Sequence, residues 1–146
     1  SSVTFGSIPT GVDHIIIGFG GVGIVSDVHM KVTIGDSGGL ETSGYTGESS
    51  WRRTSGTFAL NSDGSTSYWA VQTFDSAEWQ GIMHITRCND AGTIWCQNHW
   101  GNLHPTDDTY SSMGAGGKTL SAELTQVSIA PSSGNFDAGT ISIKYL

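Results

Sequence analysis

Apolar residues in this chain recur at every second position in short stretches, and no window carries the three- and four-residue spacing of an amphipathic helix. Within residues 13–19, Ile15, Ile17 and Phe19 share one face. Within residues 28–34, Val28, Met30, Val32 and Ile34 oppose His29, Lys31 and Thr33. Residues 67–74 set Tyr68, Ala70 and Phe74 against Trp69, Val71 and Thr73. Residues 79–88, 93–100, 125–130 and 140–145 read as further strands, with Val127 and Ile129 turned inward and Ile141, Ile143 and Tyr145 aligned. A period of two is that of an extended strand with one buried face, so an all-β chain is expected.

The breaks between these stretches are built from turn chemistry. Gly20-Gly21-Val22-Gly23, Gly35-Asp36-Ser37-Gly38-Gly39, Asn61-Ser62-Asp63-Gly64, Asn89-Asp90-Ala91-Gly92 and Pro131-Ser132-Ser133-Gly134-Asn135 supply residues that tolerate positive φ or close tight turns with their side chains. Short alternating strands between such turns predict a two-sheet antiparallel β-sandwich with jelly-roll-like connections. Residues 40–55 and 103–119, rich in Gly, Ser and Thr and poor in apolar residues, are expected as two long loops. No repeat or linker divides the chain, and 146 residues suffice for one domain spanning 1–146.

Composition narrows the function classes. Gly, Ser and Thr make up 57 of the 146 residues, and only 13% are charged, about half the usual share. The formal charge is −7, and among the six basic residues only Arg52 and Arg53 are adjacent. Nucleic acid and anionic lipid both need clustered Lys and Arg, so neither is an expected partner. The longest apolar run, Ile15-Ile16-Ile17, is far short of the roughly 20 residues that span a bilayer, so no membrane insertion is expected. No basic segment precedes a longer apolar stretch, so no signal peptide is read.

Reactive residue types are present without a recognisable catalytic pattern. With a four-residue turn at residues 89–92, Cys88 pairs with Thr93 and Cys96 with Ile85, which sends the two thiols to opposite sides of the sheet. Free thiols are therefore expected, and a disulfide requires a bulge. None of the five His forms His-x-His or His-Glu-x-x-His; His99 and His104 compose a metal or acid–base site with Asp107 and Asp108 only if the chain folds back there, and solvated surface groups are expected. Gly35–Gly39 spells the string around a trypsin-like serine but lacks a suitable His and Asp context, and it is read as a turn. Glu41, Glu48, Glu78 and Glu123 are scattered, so no glycosidase pair stands out. Gly20–Gly23 opens no helix and is not a nucleotide fingerprint. No catalytic residue, metal ligand or cofactor is expected.

The aromatic residues carry the most information. Five Trp and four Tyr are many for a chain this polar. On the strand at residues 93–100, Trp95 shares a face with Gln97 and His99, while Trp100 shares one with Ile94, Cys96 and Asn98. The polar neighbours of Trp95 predict that its face is exposed. Exposed rings flanked by Asn, Asp, Ser and Thr suit sugars, whose C–H faces stack while their hydroxyls hydrogen-bond.

Several segments resemble the distal domains of bacteriophage tail-fibre and related virion proteins, notably those of marine podoviruses and myoviruses. They are the opening Val3-Thr4-Phe5-Gly6-Ser7-Ile8 with Val12-Asp13-His14-Ile15-Ile16-Ile17; Met30–Ile34 with Gly35-Asp36-Ser37-Gly38-Gly39 and Thr42-Ser43-Gly44-Tyr45; and the closing residues 134–145. The resemblance covers both ends and not residues 46–125. It implies a β-sandwich in a homo-oligomeric fibre tip or other virion appendage, a homotrimer foremost, that binds a host cell-surface glycan or protein without enzymatic activity. Tyr45, Trp51, Trp95, Trp100 and Tyr110 are the expected ligand contacts or loop anchors, with Asp107 and Asp108 as hydroxyl acceptors. The alternatives are a structural head-decoration or appendage protein whose aromatics form subunit interfaces, and a secreted lectin-like carbohydrate-binding module. An enzyme cleaving surface polysaccharide ranks last, for want of paired carboxylates.

Overall fold

The computed structural model describes residues 1–25, 29–53, 56, 66–71, 73, 77–104 and 109–146, together with the backbone of 58–61. The described residues form β1 (Val3–Phe5), β2 (His14–Ile24), β3 (Met30–Asp36), β4 (Gly39–Leu40), β5 (Tyr45–Arg53), β6 (Phe58–Asn61), β7 (Trp69–Val71), β8 (Glu78–Arg87), β9 (Ile94–His104), β10 (Tyr110–Thr119), β11 (Gln126–Pro131) and β12 (Phe136–Tyr145).

Two antiparallel sheets pack face to face as a β-sandwich. The larger runs β12-β2-β8-β9-β10-β5-β6, and the smaller runs β1-β11-β3-β4 with β7 also paired to β3. The chain passes repeatedly between sheets, whereas β8, β9 and β10 form a meander within one. The alternation read from the sequence sets the core. Ile15, Ile17 and Phe19 of β2 meet Met30, Val32 and Ile34 of β3 and Val127 and Ile129 of β11, all buried. Of the two faces of residues 67–74, the one with Trp69, Val71 and Thr73 is buried. Val28 and Phe74, assigned to faces from sequence, lie outside the described residues.

Three expected irregular segments are strands. Residues 45–53 and 110–119 pair with each other as β5 and β10 over nine registered positions, Tyr110↔Arg53 through Lys118↔Tyr45. Gly20–Gly23 lies inside β2, where a register shift between Phe19 and Val22 absorbs the extra residues. In β10 the physical reason is that glycine takes the place of an apolar inward side chain, with Gly114 against His99 and Gly116 against Trp69. Gly81 and Gly101 face each other across β8 and β9 beneath the Trp79 ring, and Gly116 lies beneath Trp69. A Cβ at Gly116 would sit 2.7 Å from Trp69 Cδ1, so the bulky ring occupies the room that the glycine leaves. Many glycines thus serve ring packing within strands and not turns. Gly35–Gly39 does close the β3–β4 hairpin, with Asp36 Oδ1 accepting from the Gly38 amide at 2.7 Å.

Candidate functional site

The hairpin between β8 and β9 decides which face of β9 meets solvent. Asn89 Oδ1 accepts from the amides of Thr93 (3.0 Å) and Ile94 (2.9 Å), and the Cys88 amide donates to the Ile94 carbonyl at 2.7 Å. The loop therefore holds residues 89–93, one more than the sequence reading assumed, and the register becomes Arg87↔Trp95 and Thr86↔Cys96. Cys88 and Cys96 now share the outer side of the sheet, which corrects the expectation of opposite faces. Both are free and exposed.

Trp95, Gln97 and His99 point inward, so the expected exposed face of Trp95 is also corrected: the residue is 1% exposed. Polarity misled because the polar atoms satisfy one another inside the sandwich. Trp95 Nε1 donates to the Gly92 carbonyl at 2.8 Å. His99 Nδ1 lies 3.0 Å from Gln97 Oε1, and His99 Nε2 lies 3.0 Å from Ser49 Oγ. Because Gln97 Oε1 only accepts, Nδ1 carries the proton and Nε2 accepts from the Ser49 hydroxyl. Burial pushes His99 down to about 4, so the ring is neutral at pH 7. The order serine, histidine, oxygen acceptor is that of a nucleophilic triad. Ser49 and His99 are nevertheless buried, beneath the cleft that opens beside Trp100. Gly114 makes the space: a Cβ there would lie 2.4 Å from His99 Cε1. Spacing could not reveal this cluster, whose members come from β5 and β9 on either side of β10.

Tyr45 is a buried anchor. Its single O–H is shared between the carbonyls of Ile34 (3.1 Å) and Glu41 (3.0 Å), and its oxygen accepts from the Ile34 amide (2.8 Å). Burial, the largest effect, pushes this phenol up to about 12. Beside it the Lys118 ammonium, itself buried, pairs with Glu41, whose other oxygen accepts from the Ser121 amide at 2.6 Å. Burial raises the Glu41 carboxyl, and Lys118 with Ser121 more than offsets this, so it titrates below its ordinary value.

Of the remaining aromatics, Trp100 stands on the outer face of the large sheet, whereas Trp51 and Tyr110 pair with the buried Ser112 and Leu103 and so turn to its inner face. Trp100 and Met113 stand opposite each other on β9 and β10, 50% and 58% exposed. With Glu48, Ser50, Asn98 and Ala115 they line a cleft of about 510 Å³. Two depressions of about 380 Å³ each continue along β5 and β10, one beside Trp51 and Arg52, the other beside Arg53 and Tyr110. Trp51 and Tyr110 pack edge to face at 5.2 Å between centroids. Behind Trp100 the rings continue as a ladder: His84 stacks on it at 5.1 Å and 17°, and His14 stacks on His84 at 5.0 Å. His14 Nε2 and His84 Nδ1 are 2.8 Å apart, so one ring donates to the other.

The structure therefore leaves Trp100 exposed on the outer face, turns the half-buried Trp51 and Tyr110 to the inner face, and leaves Tyr45 and Trp95 in the core. Asp107 and Asp108 lie outside the described residues. His99 faces inward and His104 outward, where it meets Asn102 Nδ2 at 2.6 Å, so the two do not converge. Among the described residues no group of three His, Cys, Asp or Glu is placed to hold a metal ion. No helix among them is long and apolar enough to cross a membrane. The chain matches no protein-family model, no curated protein and no solved structure.

Proposed function

We propose that this chain is a non-enzymatic recognition module that binds a cell-surface glycan along the β5–β10 strip. The observation that carries the reading is the half-exposed Trp100 ring beside a cleft with small residues on its floor and hydroxyl partners on its rim. Gly114 and Ala115 keep the floor low, and Glu48, Ser50 and Asn98 offer a carboxylate, a hydroxyl and an amide. A ring for the C–H face of a sugar with acceptors and donors around it is the chemistry that glycan recognition needs. The adjoining depressions, with Arg52, Asn102 and Ser111 on the same face, lengthen the strip to suit several sugar units. The resemblance noted from sequence extends the proposal to a homo-oligomeric virion appendage, in which repeated weak sites gain avidity.

A glycan array and host-cell adsorption assay on the intact protein test the reading, with Trp100→Ala alongside. Retention by the wild type that falls at least about tenfold in the variant supports it. Equal retention by both refutes it.

A structural role is the second reading, favoured by the edge strand β12. Its Ile141 and Ile143 are only partly covered, and Tyr145 and the terminal Leu146 are exposed. Long edges with apolar residues invite pairing with another chain. Native mass measurement of wild type and Ile143→Lys separates the two: loss of assembly with adsorption intact favours the structural role.

A further inference from the structure

We propose that Cys88 and Cys96 form a dithiol site that a low-molecular-weight disulfide such as glutathione disulfide converts reversibly into an intramolecular cystine. The two sulfurs lie 3.0 Å apart on the outer side of the β8–β9 hairpin, and both residues are exposed. Bonded sulfurs are separated by about 2.05 Å, so closure asks for a shift of about 1 Å. The Asn89 cap fixes the register that brings them together, since the Thr86↔Cys96 pair and the Cys88–Ile94 hydrogen bond place both side chains on one face. The Thr86 carbonyl lies 3.4 Å from Cys88 Sγ and 3.7 Å from Cys96 Sγ, so it holds the two thiols side by side.

The chemistry balances without any further reactant. The Cys88 thiolate attacks one sulfur of glutathione disulfide, forms a mixed disulfide and expels one glutathione thiolate. The Cys96 thiolate attacks the Cys88 sulfur of that mixed disulfide, breaks the bond just made and expels the second glutathione. The two protons leave with the released thiols, and two electrons pass from the cysteines to glutathione. Cys88 takes the first step because the hydrogen bond to Cys88, followed by burial, pushes the Cys96 thiol up to about 11 and keeps it protonated.

Titration of the intact protein with glutathione disulfide, read by intact mass and by thiol count, tests the site. The expected product is a monomeric chain lighter by two hydrogens with no free thiol, reversed by dithiothreitol, and with a Tm raised by about 5 °C. Cys96→Ser is expected to stop at a stable glutathione adduct on Cys88, since the second sulfur is missing. Two persistent free thiols, a doubly glutathionylated chain or a disulfide-linked dimer each overturn the proposal. Both side chains are exposed, so the serine variant folds and the comparison stands.

Discussion

The indole of Trp79 lies across the backbone of Gly101, so close that a Cβ at that position would sit 2.7 Å from Cζ2 and 2.8 Å from Cε2. The partner strand is as near, with the Gln80 carbonyl oxygen 2.5 Å from the same point. Neither neighbour has room to retreat, because Trp79 is fully buried and Gln80 is in the β8–β9 ladder. Gly101→Ala is therefore expected to lower stability by about 2–3 kcal/mol in chemical denaturation. Gly6→Ala, where a Cβ meets nothing within 4 Å, is the control and is expected to change stability by less than about 0.5 kcal/mol. Equal values for the two would refute the packing account.

The same relationship explains which parts of the fold were legible in the sequence. β2, β3 and β11 were readable because Ile15, Ile17, Met30, Val32, Ile34, Val127 and Ile129 announce a buried face by themselves. β10 was not, because its inward positions include Gly114 and Gly116, which pack by yielding space to His99 and Trp69 from other strands. Polarity misplaced Trp95, because Gln97 and His99 find partners inside. One extra loop residue, capped by Asn89, reversed the faces assigned to the cysteines. Trp100, Trp51 and Tyr110 were nameable from composition, but only the strand pairing shows that Trp100 faces outward while Trp51 and Tyr110 face inward.

Lys118 and Glu41 form an ion pair whose two members differ in exposure: the Lys118 side chain is 3% exposed and that of Glu41 is 22%. Glu41→Gln keeps a hydrogen-bond acceptor and strands the buried ammonium. Breaking such a pair typically costs 3–5 kcal/mol, and the partial exposure of Glu41 argues for the lower end, about 3 kcal/mol. Lys118→Met in the same background removes the stranded charge and is expected to recover most of the loss. A double variant no more stable than Glu41→Gln would show that the charge is not what matters.

His99 makes stability depend on pH in a defined window. Its ordinary value is 6.5 and burial holds it at about 4, so the unfolded chain takes up a proton that the folded chain refuses between those limits. The stabilisation is complete above about pH 6.5, falls as pH drops, and levels off below about 4. The loss from this one group is about 3 kcal/mol across the window. The carboxyls of Glu41 and Asp36, both held low, also lose stabilisation on acidification, through their own lower range. Urea denaturation of wild type and His99→Gln at pH 7, 5.5 and 4.5 isolates the histidine. The two curves of stability against pH are expected to converge on acidification; parallel curves would count against a buried neutral ring.

His84 links the candidate site to pH through its stack on Trp100. Burial and then the charge of His14 lower its titration point below 6.5, so at pH 7 the ring over Trp100 is neutral. The hydrogen bond between His14 Nε2 and His84 Nδ1 requires one nitrogen without a proton, so the pair in this arrangement does not take up both protons. The groups around His84 on this face are Asn98 and Cys96 on β9 and Ile16 on β2, with Lys144 on β12 and Glu48 on β5 at the two ends of the row. A proton taken up by His84 therefore places a cation against the Trp100 face. A protonated imidazole stacked on indole quenches its emission, so Trp fluorescence is expected to fall as pH drops below about 6.5. His84→Gln and Trp100→Phe are each expected to remove that transition while leaving the far-UV spectrum unchanged. If the transition persists in Trp100→Phe, its origin is another tryptophan and the ladder does not couple protonation to the site. If it disappears in both variants, retention on the glycan array is expected to weaken over the same pH range, because the ring that a sugar would stack on has changed its charge environment.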